Sequence, residues 1–225
     1  MPNTSLAQTC RHASLAPPPD LRVRLPQDAH RDTHRHIATT SVPRGRALFW
    51  QDERQSYRID VIHGVIRAVR LLEDGNRQIL AFYWPGDTLY PSSSACQQYT
   101  AEAVTNCGVL CYSVPLPCEQ QQPCGVQQVL SDTLTLVTAM GKKNILQRIA
   151  WFLLRIRTHL PRDPEHAHAY RIMIPRADIA DHLGTSLETV CRALADFRSR
   201  GLIDLPNRKT IRFINTQGLM QIAGD

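Results

Sequence analysis

Apolar positions along this chain change their period twice. Tyr57, Ile59 and Val61 alternate with Arg58 and Asp60, Gly64 interrupts, and Val65 to Leu72 forms a second β-type run that ends at Glu73-Asp74-Gly75-Asn76. An Asp-Gly pair between two such runs signals a hairpin, because its residues accept the positive φ of a tight turn. The return run spans Arg77 to Trp84 and stops at Pro85-Gly86-Asp87, and a further set lies at Ala101 to Val114. Strands at this spacing predict a compact antiparallel roll or barrel. Residues 1 to about 40, rich in Pro, Ser, Thr and His with little apolar periodicity, are expected to form a flexible arm.

From Val126 the period lengthens. Val126, Val129, Leu130, Leu134, Val137 and Met140 recur at steps of three and four, and Ile145, Ile149, Phe152, Leu153 and Ile156 continue the stripe with no proline before Pro161. A stripe of about 35 residues exceeds the usual globular helix. It predicts a long helix that pairs with a copy of itself, with an interruption near Gly141 left open; two core helices of a monomer are the alternative. Leu160-Pro161-Arg162-Asp163-Pro164 then removes donors and restricts the residues before each proline, which marks an interdomain hinge.

After a short strand from Tyr170 to Ile174, ended by Pro175, Arg176 to Gly184 reads as a short helix with Ile179, Ala180 and Leu183 on one face and Gly184 as its stop. Thr185-Ser186-Leu187-Glu188 fits a capping box, with Ser186 as the other candidate cap. The helix it opens would run to about Arg200, burying Val190, Leu194 and Phe197. Two short helices joined by a glycine-containing turn are the helix-turn-helix signature, whose second helix enters the DNA major groove. Gly201 stops that helix. Leu202 to Leu205, a turn at Pro206-Asn207, and Thr210 to Ile214 predict a hairpin with Arg208 and Lys209 at its tip, as in a wing. Glu188 can accept from a cytosine amino group, and Arg192, one turn on, can donate twice to guanine. The same pair at i,i+4 also makes an ordinary surface ion pair.

Composition fits this picture. The 225 residues suffice for two modest domains, and 43% hydrophobic with 20% charged residues is ordinary for a globular protein. No apolar run exceeds the six residues of Ile149 to Leu154, so no membrane span is expected. The N-terminus has no apolar signal core, and the expected address is the cytoplasm. Seven cysteines, an odd number, are then expected to be mostly reduced thiols and not a disulfide framework. Most of the net charge of +6 comes from residues 141–160, which hold five Lys/Arg and no Asp/Glu; residues 1–140 hold twelve of each, and residues 161–225 hold nine and eight. A belt of Lys142, Lys143, Arg148, Arg155 and Arg157 suits a polyanion, or else a solvated helix face. No Ser-His-Asp order, phosphate loop or metal motif suggests an enzyme.

Asp178-Ile179-Ala180-Asp181-His182-Leu183-Gly184 followed by Leu187-Glu188-Thr189-Val190-Cys191-Arg192-Ala193-Leu194 closely resembles the DNA-binding segment of the CRP/FNR transcription regulators. The resemblance covers about residues 42 to 220, with Gly64, Pro85-Gly86-Asp87, the central helix and the wing in the family's order. It implies an α+β protein: an N-terminal antiparallel β-roll of the cyclic-nucleotide-binding kind over 41–125, a dimerisation helix over 126–160 and a winged helix-turn-helix over 161–225, after the arm of 1–40. Glu188, Thr189, Val190 and Arg192 match the recognition helix of the FNR and FixK branch, and Cys191 stands in place of serine. The expected DNA-contacting set is Arg176, Thr185, Ser186, Leu187, Glu188, Thr189, Cys191, Arg192, Arg208 and Lys209, on a palindrome with TTG and CAA ends.

The resemblance also bears on the signal. Members that bind cyclic AMP place Gly-Glu and Arg-Ser or Arg-Thr pairs where this chain has Tyr90-Pro91 and Tyr99-Thr100, so the phosphate's counter-charge is missing and no cyclic nucleotide is expected. Members with an iron-sulfur cluster need an N-terminal cysteine group; Cys111 resembles their single cysteine in the roll, but Cys10 alone precedes Cys96. Cys118 and Cys124 lack metal-ligand spacing, as do His30, His34 and His36, and nothing in the spacing of His63 supports haem. No cofactor and no metal are therefore expected. Cys191 lies near a helix N-terminus and Arg192, both of which favour thiolate, so its oxidation is a candidate switch and a passive serine substitute the alternative. The chain is expected to be an effector-independent homodimeric activator of FixK type that works with RNA polymerase. The rival is a ligand-gated regulator whose roll binds haem or another small molecule.

Overall fold

The structure, a computed structural model, describes residues 36–54, 57–91, 96–113 and 123–224. Eight strands, β1 (His36–Val42), β2 (Ala47–Phe49), β3 (Tyr57–His63), β4 (Ile66–Leu71), β5 (Arg77–Tyr83), β6 (Thr88–Leu89), β7 (Thr100–Ala103) and β8 (Cys107–Ser113), form the N-terminal unit. They make two four-stranded antiparallel sheets, ordered β1-β8-β3-β6 and β2-β7-β4-β5. Period-two patterning does the sorting: Ile59 and Val61 are buried while Arg58 is exposed, and the inward side chains of both sheets, among them Val42, Phe49, Ile66, Leu89 and Val109, share one core. The chain passes from one sheet to the other at Gly64, which has φ +88°; a Cβ there would lie 2.6 Å from both the Asn106 carbonyl oxygen and Cys107 Sγ. Only glycine fits that corner.

The turn at 73–76 closes the β4–β5 hairpin, with Leu72 N–H donating to Asn76 O at 2.9 Å. The run from Ala101 to Val114 is two strands in different sheets, because Val104 to Asn106 turn the chain between β7 and β8. The span expected for the arm overlaps the first strand, and its residues 1–35 lie outside the described residues. β1 begins at His36 and is paired along β8, Thr39 opposite Leu110 and Ser41 opposite Gly108, so ladder hydrogen bonds order residues whose side-chain pattern carries no strand signal. Cys10, His30, His34 and Cys118 lie outside the described residues.

The expected long helix is interrupted, forming α1 (Pro123–Lys142) and α2 (Ile145–Ile156). The break falls just beyond Gly141 and is built by polar chemistry. Asn144 Oδ1 accepts the Gln147 N–H at 3.1 Å, Gln147 Oε1 accepts the Asn144 N–H at 2.8 Å, and Arg148 donates to the carbonyls of Met140 and Lys143 that end α1. On α1, Leu130, Leu134 and Val137 remain exposed.

α2 packs on the C-terminal elements: α3 (Arg176–Leu183), α4 (Leu187–Ser199) and α5 (Thr216–Ala223), with a sheet ordered β10-β11-β9 from β9 (Tyr170–Arg171), β10 (Ile203–Asn207) and β11 (Thr210–Phe213). Phe152, Leu153, Ile179, Leu183, Leu194, Phe197, Ile211 and Leu219 form their common core. Helix α5, capped by Asn215 Oδ1 accepting the Gly218 N–H, is not anticipated by the sequence reading. No helix among the described residues is long and apolar enough to cross a membrane.

Candidate nucleic-acid interface

Gly184 ends α3 in the left-handed region at φ +61°, and its N–H returns to Ala180 O. A side chain there would be strained and would press within 2.8 Å of Met140 Cε. The next helix is capped by Ser186, the second of the two candidates: its Oγ accepts the Thr189 N–H at 3.1 Å and lies 2.9 Å from Thr189 Oγ1. Val190, Ala193, Leu194 and Phe197 seat α4 in the core, which leaves Leu187, Glu188 and Arg192 on the outside. Free amides and exposed polar side chains at one helix start suit contact with a groove and its phosphates.

Arg192 Nη1 and Glu188 Oε1 are 3.9 Å apart, with both side chains more than 70% exposed. A pair this open and this long leaves both groups available to a ligand. Cys191 is half-buried, and its arginine neighbour is Arg176 of α3, with Nη1 3.5 Å from Sγ; Arg192 leans toward Glu188 instead. Arg176, Thr185 and Thr189 are half-buried beside the exposed Ser186. The turn of the hairpin falls at Arg208-Lys209, not at Pro206-Asn207, which belong to β10. Arg208 and Lys209 are exposed there, and the Lys209 N–H donates to Asn207 Oδ1.

Asp163, a residue read only as part of the hinge, anchors the wing. Its Oδ2 accepts the Thr210 hydroxyl at 2.6 Å and its Oδ1 accepts the backbone N–H groups of Glu165 and His166. These bonds, led by that of Thr210, hold the carboxyl well below the usual carboxylate range. The Asp-Pro dipeptide at 163–164 is the sequence signal that could have found it.

Most of the basic belt is engaged within the molecule, although none of it is buried and Arg155 is exposed. Lys143 bonds Ala223 O at the end of α5, Arg148 closes α1, Arg155 pairs with Asp132, and Arg157 donates to Thr216 Oγ1 and lies over the Phe213 ring. These cations are engaged by helix ends and neighbours, so the belt is not an open row of unpartnered charges. Lys142 is exposed.

Within the roll, the Tyr99 hydroxyl lies 3.3 Å from that of Tyr83, and its ring packs 5.5 Å from Phe49. Burial raises both phenols, so both stay neutral, and a tyrosine in either state is not the cation that a phosphate would need. Burial likewise pushes the Cys111 thiol up to about 11 and raises that of Cys107, which donates to Val65 O. His63 packs against Gly108. Among the described residues no three His, Cys, Asp or Glu side chains are grouped to hold a metal ion.

Two family models match the two halves of this architecture: a cyclic nucleotide-binding domain over residues 39–117 and a Crp-like helix-turn-helix domain over 147–222. The second begins inside α2, in accord with the packing of that helix. The chain is 27% identical over 186 residues to the nitrogen fixation regulation protein FixK of Rhizobium meliloti, covering 80% of this chain and 84% of that one. It is 27% identical over 193 residues to the transcriptional activator protein FnrA of Stutzerimonas stutzeri, with 80% and 78% covered. The solved structure of FixK2 from Bradyrhizobium japonicum superposes with a TM-score of 0.74 at 27% identity, over 82% of this chain and 96% of that one.

Proposed function

The chain belongs to the CRP/FNR family of DNA-binding transcription regulators, which are not enzymes, and from that premise we propose that it is a homodimeric activator of FixK type. It reads a palindrome with TTG and CAA ends, needs no bound effector, engages RNA polymerase and works in the cytoplasm. The observation that carries this reading is the outward face of α4, with Glu188 and Arg192 exposed beside the open wing tip of Arg208 and Lys209. The exposed stripe of Leu130, Leu134 and Val137 on α1, at steps of four and three, supports pairing with a second copy. Two-fold symmetry then places two α4 helices about 34 Å apart in successive major grooves. The phenol pair of Tyr83 and Tyr99 supports a roll that takes no cyclic nucleotide.

Fluorescence anisotropy of reduced protein tests this. A TTG/CAA palindrome should bind at least about a thousandfold more tightly than a scrambled duplex at near-physiological salt. Equal weak binding to both overturns it.

Cys191 is the proposed point of regulation. Its thiolate attacks peroxide, the O–O bond breaks, hydroxide leaves and a sulfenic acid forms at the DNA face, where the added oxygen and its bulk oppose close approach to the phosphates. Peroxide should weaken binding by the parent protein and spare the Cys191→Ser variant; equal weakening of both sinks the idea.

One feature favours the ligand-gated reading instead. An open cavity of about 750 Å³ lies between the roll, α1 and α2, lined by Trp84, Asp87, Tyr90, Asp132, Trp151, Arg155 and His159 among others. An absorbance spectrum of the purified protein separates the two: a haem or other chromophore band supports gating.

A further inference from the structure

One flank of α3 is turned away from α4, toward the roll, and carries carboxylates where the two meet. Asp178, 1% exposed, accepts from Arg67 Nη1 on β4 at 2.5 Å and from Arg77 Nη2 on β5 at 3.1 Å. Arg77 Nε donates to Asp181 at 2.6 Å, and Arg67 Nη2 donates to Glu102 at 2.8 Å. Along the same seam His182, in its Nδ1–H tautomer because a carbonyl only accepts, donates to Ile79 O at 3.0 Å, and Gln78 Nε2 donates to His182 O. Asp178, Asp181 and His182 stand at i, i+3 and i+4, so one helical face supplies every contact.

Planar guanidiniums fix direction as well as distance. Two of them on one buried carboxylate leave little room for rotation, since turning α3 on the roll would strand charge away from water. The tight turn at Gly184 to Ser186 makes α4 follow α3.

We propose that Arg67 and Arg77 of the roll are positioning residues, which set the angle of α4 by gripping Asp178 and Asp181 across this seam. The inference rests on the DNA-reading function proposed above. A single half-site tolerates a misset helix because the whole molecule can shift to suit it. A palindrome does not, because both helices must enter their grooves at once.

The test uses the half-exposed Arg77–Asp181 pair, so that folding survives: Arg77→Gln, Asp181→Asn, the double variant and Arg77→Lys in the full chain. Anisotropy is measured on a half-site duplex and on the palindrome, and hydrogen exchange is followed across 78–81 and α3 without DNA. Arg77→Gln should lose about tenfold on the palindrome and less than about twofold on the half-site. The double variant should lose no more than Arg77→Gln alone, Arg77→Lys should recover part of the loss, and exchange along the seam should quicken. Unchanged palindrome affinity, parallel loss on both duplexes, or unchanged exchange overturns the inference. A parent protein that binds palindrome and scrambled duplex alike overturns the proposed function and the DNA half of this inference, while exchange still decides whether the grip exists.

Discussion

Asp178 and Glu188 are carboxylates ten residues apart on consecutive helices, each facing arginine, and their surroundings make them opposites. The Asp178 side chain is 2% exposed and held by two guanidiniums at 2.5 and 3.1 Å, whereas that of Glu188 is 78% exposed and stands 3.9 Å from one. A buried ion pair is costly to break because the abandoned partner keeps its desolvation penalty. An exposed pair is nearly indifferent, because water replaces what is lost. The same side-chain chemistry therefore serves architecture on the roll-facing flank of α3 and remains free for recognition on the outer face of α4.

The sharpest way to break this comparison is Asp178→Ala. It leaves Arg67 as a poorly compensated cation in the seam, where Nε already lacks a hydrogen-bond partner. The expected loss is about 3 to 5 kcal/mol by urea denaturation. A loss no larger than that of an ordinary surface substitution removes the distinction between the two sites.

Acid attacks the same seam. His182 lies between Phe82 and Phe152, and burial, against the opposing pull of the Ile79 carbonyl, lowers its pKa from 6.5 to about 4. The unfolded imidazole gains its proton as pH falls through 6.5 and the folded one only near 4, so the unfolded state binds more protons within that window. Its contribution is complete above about 6.5 and is lost progressively down to about 4, with a total of about 3 kcal/mol. A His182→Phe variant should show a flatter stability profile between pH 6.5 and 4, with urea midpoints as the measure.

The comparison also explains what the sequence could disclose. The recognition face was legible because helix caps, stops and groove-facing residues are local: Gly184, Ser186 and Gly201 act on their immediate neighbours. The β-strands from Tyr57 to Tyr83 were legible for the same reason, through alternation and one turn. The seam was not, because Arg67 and Asp178 are 111 residues apart and nothing local distinguishes a buried arginine from a solvated one. The partners of the basic belt were hidden for the same reason: Arg148 and Arg157 count as charge in sequence but satisfy helix ends and an aromatic ring in space. Asn144 was legible in principle, as a cap three residues before Gln147, yet the unbroken apolar stripe concealed it.

On the exposed side, Arg192→Ala should leave the urea midpoint where it is and cost about 1 to 3 kcal/mol on the palindrome, with one base preference relaxed. Equal losses on cognate and scrambled DNA would show that it meets phosphate and not a base. Ser186→Ala lies between the two regimes. It removes the oxygen that accepts the Thr189 N–H, and should cost about 1 kcal/mol in unfolding experiments.

The smallest effect is the most telling for the outer face. Glu188→Gln removes the charge of a side chain that lies in the first turn of α4, where a carboxylate interacts favourably with the helix dipole, and weakens a long contact to Arg192. Both contributions are screened by water, so stability should fall by no more than about 0.5 kcal/mol. On DNA the same change replaces an acceptor-only group with one that also donates, so the preference for cytosine at the contacted position should relax while the urea midpoint barely moves. If instead stability falls as far as it does for a buried carboxylate and base preference stays fixed, Glu188 is an architectural residue like Asp178, and the division between the two helices disappears.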